Sequence, residues 1–200
     1  MGMALVTLVA MAWGLGLLGL FAVGQYNTLV ALRNRYKNSF SQIDGQLKRR
    51  YDLTANLMAS AKDNLEDERE TLDAVISARN LAYSTAAKAA ANPGHPQAIT
   101  ELVAAEARLR DALGRFFALA DANPGLTADR NFSRISEELT SLKNKIFLAQ
   151  EAYNDAVMVY NARREVFPAN VVAGMFHFAA AELFQREAHP EQVGSKVSLT

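Results

Sequence analysis

Reactive chemistry in this chain of 200 residues would have to come from histidine, carboxylates and amides, because it has no cysteine. Disulfides, thiolate zinc sites and iron–sulfur clusters are thereby excluded. The three histidines, His95, His177 and His189, are scattered along the sequence. Glu101, Glu106, Glu137 and Glu138 have no histidine three residues on, so the Glu-x-x-His pairs of di-iron bundles are missing. No HExxH pattern, glycine-rich phosphate loop or nucleophile elbow occurs. The acidic run Glu66-Asp67-Glu68-Arg69-Glu70 offers oxygen ligands to a divalent cation. A solvated first helical turn, favoured by the helix dipole, explains it better. The expectation is a non-enzyme with no metal, no cofactor and no small-molecule substrate.

Amides and arginines form the more pointed pattern. Asn34, Asn38, Gln42, Gln46, Arg49 and Asn56 run down one side of a helical stretch. Asn154 and Asn161 stand one heptad apart, each following a tyrosine. Repeated amides set register inside a bundle, because an unpaired buried amide is costly. The same amides would also suit a face for a second copy or another protein, or plain solvent exposure. Lys48-Arg49-Arg50 lies too far beyond the apolar N-terminus to reach lipid, about 36 Å along a straight helix. Interhelical or partner ion pairs remain for it. The candidate interaction residues are therefore Asn34, Asn38, Gln42, Arg49, Arg50, Asn154 and Asn161.

Helices must position these groups. Alanine is abundant, strand-type alternation is absent and apolar residues recur every three or four positions. Phe132, Ile135, Leu139, Leu142, Ile146, Ala149, Tyr153, Ala156 and Tyr160 form a heptad seam. Tyr36, Phe40, Ile43, Leu47, Tyr51 and Leu57 form a second, and Ile99, Leu102, Leu109, Leu113 and Phe116 a third. Bundle core is the simplest use of these stripes; coiled-coil pairing with another protein is the other.

Breaks fall at Asn92-Pro93-Gly94-His95-Pro96, at Asn123-Pro124-Gly125 and at Phe167-Pro168. Thr127 is the expected N-cap after the second break, with Asp129 in the first turn. A further break at Asp63-Asn64 would let Asn64 cap a helix whose first turn holds Glu66, Asp67 and Glu68. Without it, Arg33 to Ala91 would be one rod. With it, four segments of about 55, 40, 40 and 58 Å run up and down, and this arrangement is favoured.

Residues 3–24 carry no charge, and the first formal charge is Arg33. About 20 apolar helical residues cross a bilayer core, so this run is expected to contact membrane lipid as a span. No basic residue precedes it, which separates it from a cleaved signal, although Ala22-Val23-Gly24 resembles a weak cleavage site. Arg33, Arg35 and Lys37 follow it, which predicts a bundle in the cytoplasm and the N-terminus outside. Ala10/Gly14 and Ala12/Gly16 are small pairs that would let two spans approach. Equal numbers of acidic and basic residues argue against nucleic acid.

After Pro168 a short segment is apolar on most sides: Val171, Val172, Met175, Phe176, Phe178, Leu183 and Phe184. It either lies in the membrane interface or caps the open end of the bundle.

The whole chain resembles the LemA family of bacterial membrane proteins. The resemblance is carried by the stretch from Tyr26 to Arg35, by Ser41 to Leu53, and by Thr71-Leu72, Ala78-Arg79 and Ala112 to Arg115. It continues through Asn131-Phe132, Tyr153-Asn154, Tyr160-Asn161, Phe167-Pro168 and the Phe-rich end. Two positions depart from the family pattern. Ala55 stands where proline is usual, and Asp67-Glu68 where a His-Glu pair is usual. The resemblance implies a single-pass membrane anchor and a helical bundle and carries no known enzymatic activity; the expected location is the bacterial inner membrane.

The expected fold is thus all-α: one transmembrane helix at 1–25, an up-down bundle at 26–187 with a short C-terminal helix, and a polar tail at 188–200. The expected role is an interaction or scaffold module that assembles with itself or a protein partner. The alternative is an accessory subunit of a membrane enzyme such as a protease.

Overall fold

A computed structural model describes residues 2–62, 65 and 68–184. Among the described residues there are six helices and no strand. They are α1 (Gly2–Ala61), α2 (Arg69–Ala91), α3 (Pro96–Asp121), α4 (Pro124–Thr127), α5 (Arg130–Glu165) and α6 (Ala169–Met175). The all-α architecture expected from the sequence is the one found.

The first helix is unbroken over 60 residues, about 90 Å at 1.5 Å per residue. It ends at Ala61 and α2 begins at Arg69. The single rod from Arg33 to Ala91 is thereby corrected, and the up-down reading stands. Residues 63, 64, 66 and 67, where the break and its Asn64 cap were expected, lie outside the described residues. Leu65 is buried against the core. The first turn of α2 contains Glu70, and Glu68 stands before it as the N-cap residue. Of the acidic run, Glu70 is thus in the first turn and Glu68 just outside it.

The other turns follow local chemistry. Pro96 opens α3, where its missing N–H removes nothing. Pro124 starts the single turn of α4, whose Leu126 is fully buried and plugs the end of the bundle. Thr127 closes that turn, so it cannot cap α5. Asp129 caps it instead, accepting a hydrogen bond from the Phe132 N–H at 2.8 Å. A Schellman pair ends α6: Phe178 N donates to Ala173 O at 2.9 Å and His177 N to Gly174 O at 3.3 Å. His177 takes the left-handed position there, at φ 53°.

The closest helix pairs are α1 with α5, α2 with α3, and α1 with α2. Arg49 pairs with Glu138, and Gln25 with Arg163, so α1 and α5 run antiparallel. All nine residues of the α5 seam are buried, as are all six of the α1 seam. Of the third seam, Leu113 is only partly buried. Edge-to-face rings of Tyr36, Phe40 and Tyr153 fill the lower core. The stripes expected from spacing are the bundle core.

The helices differ in length. The α5 helix has 36 residues, against 23 in α2 and 26 in α3. The α2–α3 hairpin therefore stops short of the bundle's lower end and leaves the groove between α1 and α5 open there. The chain after α6 fills it. Residues 178–184 run without helix and bury Phe178, Ala181 and Phe184.

Gly94, at the tip of the hairpin, meets this strap. Its φ is +85°, and an added Cβ would lie 2.9 Å from Tyr36 Cε2 and 3.0 Å from Ala181 Cβ. Its carbonyl accepts from Glu182 N at 2.9 Å. Gly94→Ala adds left-handed strain and a clash, and is expected to lose about 1–3 kcal/mol of stability. Chemical denaturation checks this; an unchanged midpoint contradicts the close approach.

Candidate functional site

The two Tyr-Asn pairs of α5 form one ladder. Asn161 Nδ2 donates to Ala181 O at 2.8 Å and its Oδ1 accepts from Ala181 N at 3.0 Å. Asn154 does the same to Phe184, at 3.1 and 2.8 Å. The Tyr160 hydroxyl donates to Ala179 O at 2.8 Å, and that of Tyr153 to Glu182 O at 2.7 Å. Each pair thus grips one strap residue through both backbone groups and a second through its carbonyl.

The spacing explains the heptad. Seven helical residues rise about 10.5 Å. Three residues of extended or polyproline II chain span about 9–10 Å. One Tyr-Asn step on α5 therefore matches one three-residue step on the strap, and the buried Phe178, Ala181 and Phe184 keep the same period. Asn154 and Asn161 were candidates for contact with another molecule. The chain's own C-terminal segment occupies their amides.

Arg49 and Arg50 also turn inward to the chain. Arg49 Nε donates to Glu138 Oε1 at 3.1 Å. That contact holds the Glu138 carboxyl below its ordinary range. Arg50 pairs with Glu106 of α3, with side chains only 18% and 11% exposed. Tyr51 Oη donates to the other Glu106 oxygen at 2.5 Å. Arg79 of α2 donates to the Tyr51 carbonyl at 3.1 Å. Three helices thus meet on one polar centre. Both oxygens of Glu106 are engaged, and burial pushes the Tyr51 phenol well up and the Arg50 guanidinium down. This arrangement locks register between α1 and α3 and leaves no free base.

Asn34, Asn38 and Gln42 remain exposed on the outer side of α1. The structure gives them no shared role with the ladder. Higher up, a groove of about 690 Å³ lies between α1 and α2, floored by Met58, Leu65, Leu72 and Ile76 and rimmed by Lys62 and Asp73. Among the described residues no group of three His, Asp or Glu side chains converges as a metal site would require.

The LemA family pattern matches residues 39–198. The chain belongs to the LemA family. The match begins within α1 and takes in every later helix and the strap, so ladder and polar centre both lie inside it. Two curated relatives, Magnetosome protein MamQ 2 and Magnetosome protein MamQ 1 of Paramagnetospirillum magneticum (strain ATCC 700264 / AMB-1), are each 28% identical over 86 residues. That is 43% of this chain and 32% of each relative. The LemA-family chain therefore spans about a third of the length of these relatives.

The strap was the part that sequence reasoning missed. Its signal was present, in a repeated Tyr-Asn heptad together with a Phe-Ala-Ala-Ala-Glu-Leu-Phe end. Replacing Asn161 with Leu leaves the Ala181 N–H and carbonyl without partners, which costs about 1–3 kcal/mol. Hydrogen exchange at Ala181 is expected to speed up strongly, and Asn154→Leu to do the same at Phe184. Unchanged protection at both amides contradicts the ladder.

Burial raises the phenols of Tyr36, Tyr51, Tyr153 and Tyr160 above their ordinary value near 10. In the unfolded chain they ionise near 10, so the stability they confer is present below that pH. It is lost as the pH rises toward the folded-state values. Helical circular dichroism is therefore expected to collapse together with the rise of tyrosinate absorbance above about pH 10. Ionisation of all six tyrosines with helicity intact contradicts this.

Proposed function

We propose that this chain is a non-enzymatic membrane scaffold, held in the bacterial inner membrane by α1 and presenting a rigid bundle in the cytoplasm. The observation that carries the reading is the continuity of α1. Its first part is long and apolar enough to cross a membrane, and the most apolar window is left unburied by the described residues. Trp13, Leu15 and Leu20 are all about seven-tenths exposed, a surface suited to lipid. The same helix then becomes the central member of the bundle without a break. A body joined to its anchor this way stands at a fixed height, which suits the positioning of partners.

Several features support the finer points. Arg33, Arg35 and Lys37 follow the apolar run, which favours the cytoplasmic side for the bundle. The exposed amides Asn34, Asn38 and Gln42 offer a face for a second copy, and the small pairs Ala10/Gly14 and Ala12/Gly16 would let two spans meet. The polar groups that most resemble catalytic ones are consumed by ion pairs or by the strap. The relatives carry the name of a magnetosome protein and not of an enzyme, which supports a role without catalysis.

The test is the mass of the full chain extracted in mild detergent. A homogeneous multimer that dissociates with Asn34→Asp, Asn38→Asp and Gln42→Glu combined is expected. A monomer contradicts self-assembly and favours the accessory-subunit alternative. Labelling of Ala55→Cys by an impermeant maleimide in intact cells contradicts the cytoplasmic placement.

A further inference from the structure

The lower end of the bundle carries an apolar surface that the described residues leave uncovered. Residues 166–181 contain no Asp, Glu, Lys or Arg, the longest such run after the N-terminal one. The inner side of α6, with Ala169, Val172 and Ala173, is buried. Its outer side is not. Phe167 is 76% exposed, Val171 55% and Met175 66%. Val171 and Met175 stand at i and i+4 on one face of α6, and Phe167 is exposed in the turn that leads into it. A soluble domain rarely leaves such a patch bare without a use for it.

The position of this stripe names its occupant. Arg163 donates to Gln25 Oε1 at 2.6 Å, so α5 ends level with the end of the uncharged run of α1. Tyr26 packs its ring against Phe176 at 4.9 Å and Phe178 at 5.5 Å. Ala22, inside the uncharged run, is partly buried against the core. The foot formed by Val166 to Phe176 thus reaches below Gln25, alongside the last turn of the apolar segment. A bilayer crossed by α1 would meet it at the boundary between headgroups and acyl chains. Arg163 stands just above, where its guanidinium group would reach lipid phosphates, and Arg164 beside it pairs with Glu165 at 3.0 Å.

We propose that the outer face of α6, with Val166 and Phe167, is a second membrane contact, seated in the interface of the bilayer that α1 crosses. This rests on the reading of α1 as a span. One helix alone leaves a body free to rotate and tilt about it. A rigid foot beside the helix, clamped to the bundle by the strap, sets both. The occupant is lipid, because the face is continuous with the lipid-facing surface of α1, has no charge of its own, and is backed by Arg163.

The absence of cysteine makes the test direct. Single cysteines replace Val171, Met175, Leu15 and Ala55 in the full chain, each labelled with bimane in phosphatidylcholine–phosphatidylglycerol vesicles. Lipids carrying a nitroxide near the headgroup are expected to quench the Val171→Cys and Met175→Cys labels several-fold more than Ala55→Cys. Leu15→Cys is expected to respond most to a nitroxide deep in the acyl chain. A quenched Leu15→Cys label with both α6 labels as dark to lipid as Ala55→Cys overturns the foot and leaves the span intact. Labels on α6 that are shielded from aqueous iodide yet unquenched by lipid point to a covering protein and also overturn it. An unquenched Leu15→Cys label overturns the span and the foot together. Two independent α6 positions, each with its helicity checked, separate misfolding from loss of contact.

Discussion

Unequal helix lengths govern this structure. The α2–α3 hairpin is ten to thirteen residues shorter than the α5 helix it flanks. An open groove between α1 and α5 would expose tyrosine and phenylalanine rings to water, at about 25 cal/mol per Å² of apolar area. The strap supplies the missing wall. Its extended backbone brings N–H and C=O groups that no helix satisfies, and a buried chain must satisfy them. The Tyr-Asn ladder answers that demand on one side and the Gly94 carbonyl on the other. The strap, the ladder, the glycine at the hairpin tip and the placement of α6 all follow from one shortfall in length.

The polar interior is consistent with a body built for fixed geometry. Arg50, Tyr51, Glu106 and Arg79 tie α1, α2 and α3 at one level. A buried ion pair gives little net stability against an apolar replacement, and its best-attested use is to fix register. The ladder fixes the strap against α5 in the same sense. Both devices make slipped or alternative packings costly, because a one-step shift would leave amides or charges unpaired. That specificity fits a part whose role depends on shape.

Much of this was legible in the sequence for a physical reason. Apolar spacing of three and four reports helix faces directly, and α5's nine seam residues are all buried. The proline-containing turns were equally plain. Contacts that depend on register between helices were not. Arg49 and Arg50 could be read as ion-pairing groups, but Glu138 and Glu106 could not be named, because they lie 89 and 56 residues away. Thr127 was expected to cap α5, and Asp129 does so, since Pro124 starts a separate single turn. Asn154 and Asn161 stood out by their heptad spacing, yet their partner is an extended segment with no periodic apolar signature of a helix or a strand. A period-three run such as Phe178, Ala181 and Phe184 is easily read as one more helical turn.

The central claim is that anchor and bundle are one rigid lever with no joint at the membrane surface. The most direct measurement is the distance between spin labels at Gly14→Cys and Ala55→Cys in the full chain, read by double electron–electron resonance in lipid nanodiscs. A Cβ added at Gly14 meets nothing within 4 Å, and Ala55 is exposed at the groove between α1 and α2. A straight helix between them predicts a narrow distribution near about 60 Å. A broad distribution reaching well below that value would mean that α1 bends where it leaves the bilayer, and the scaffold account would fail.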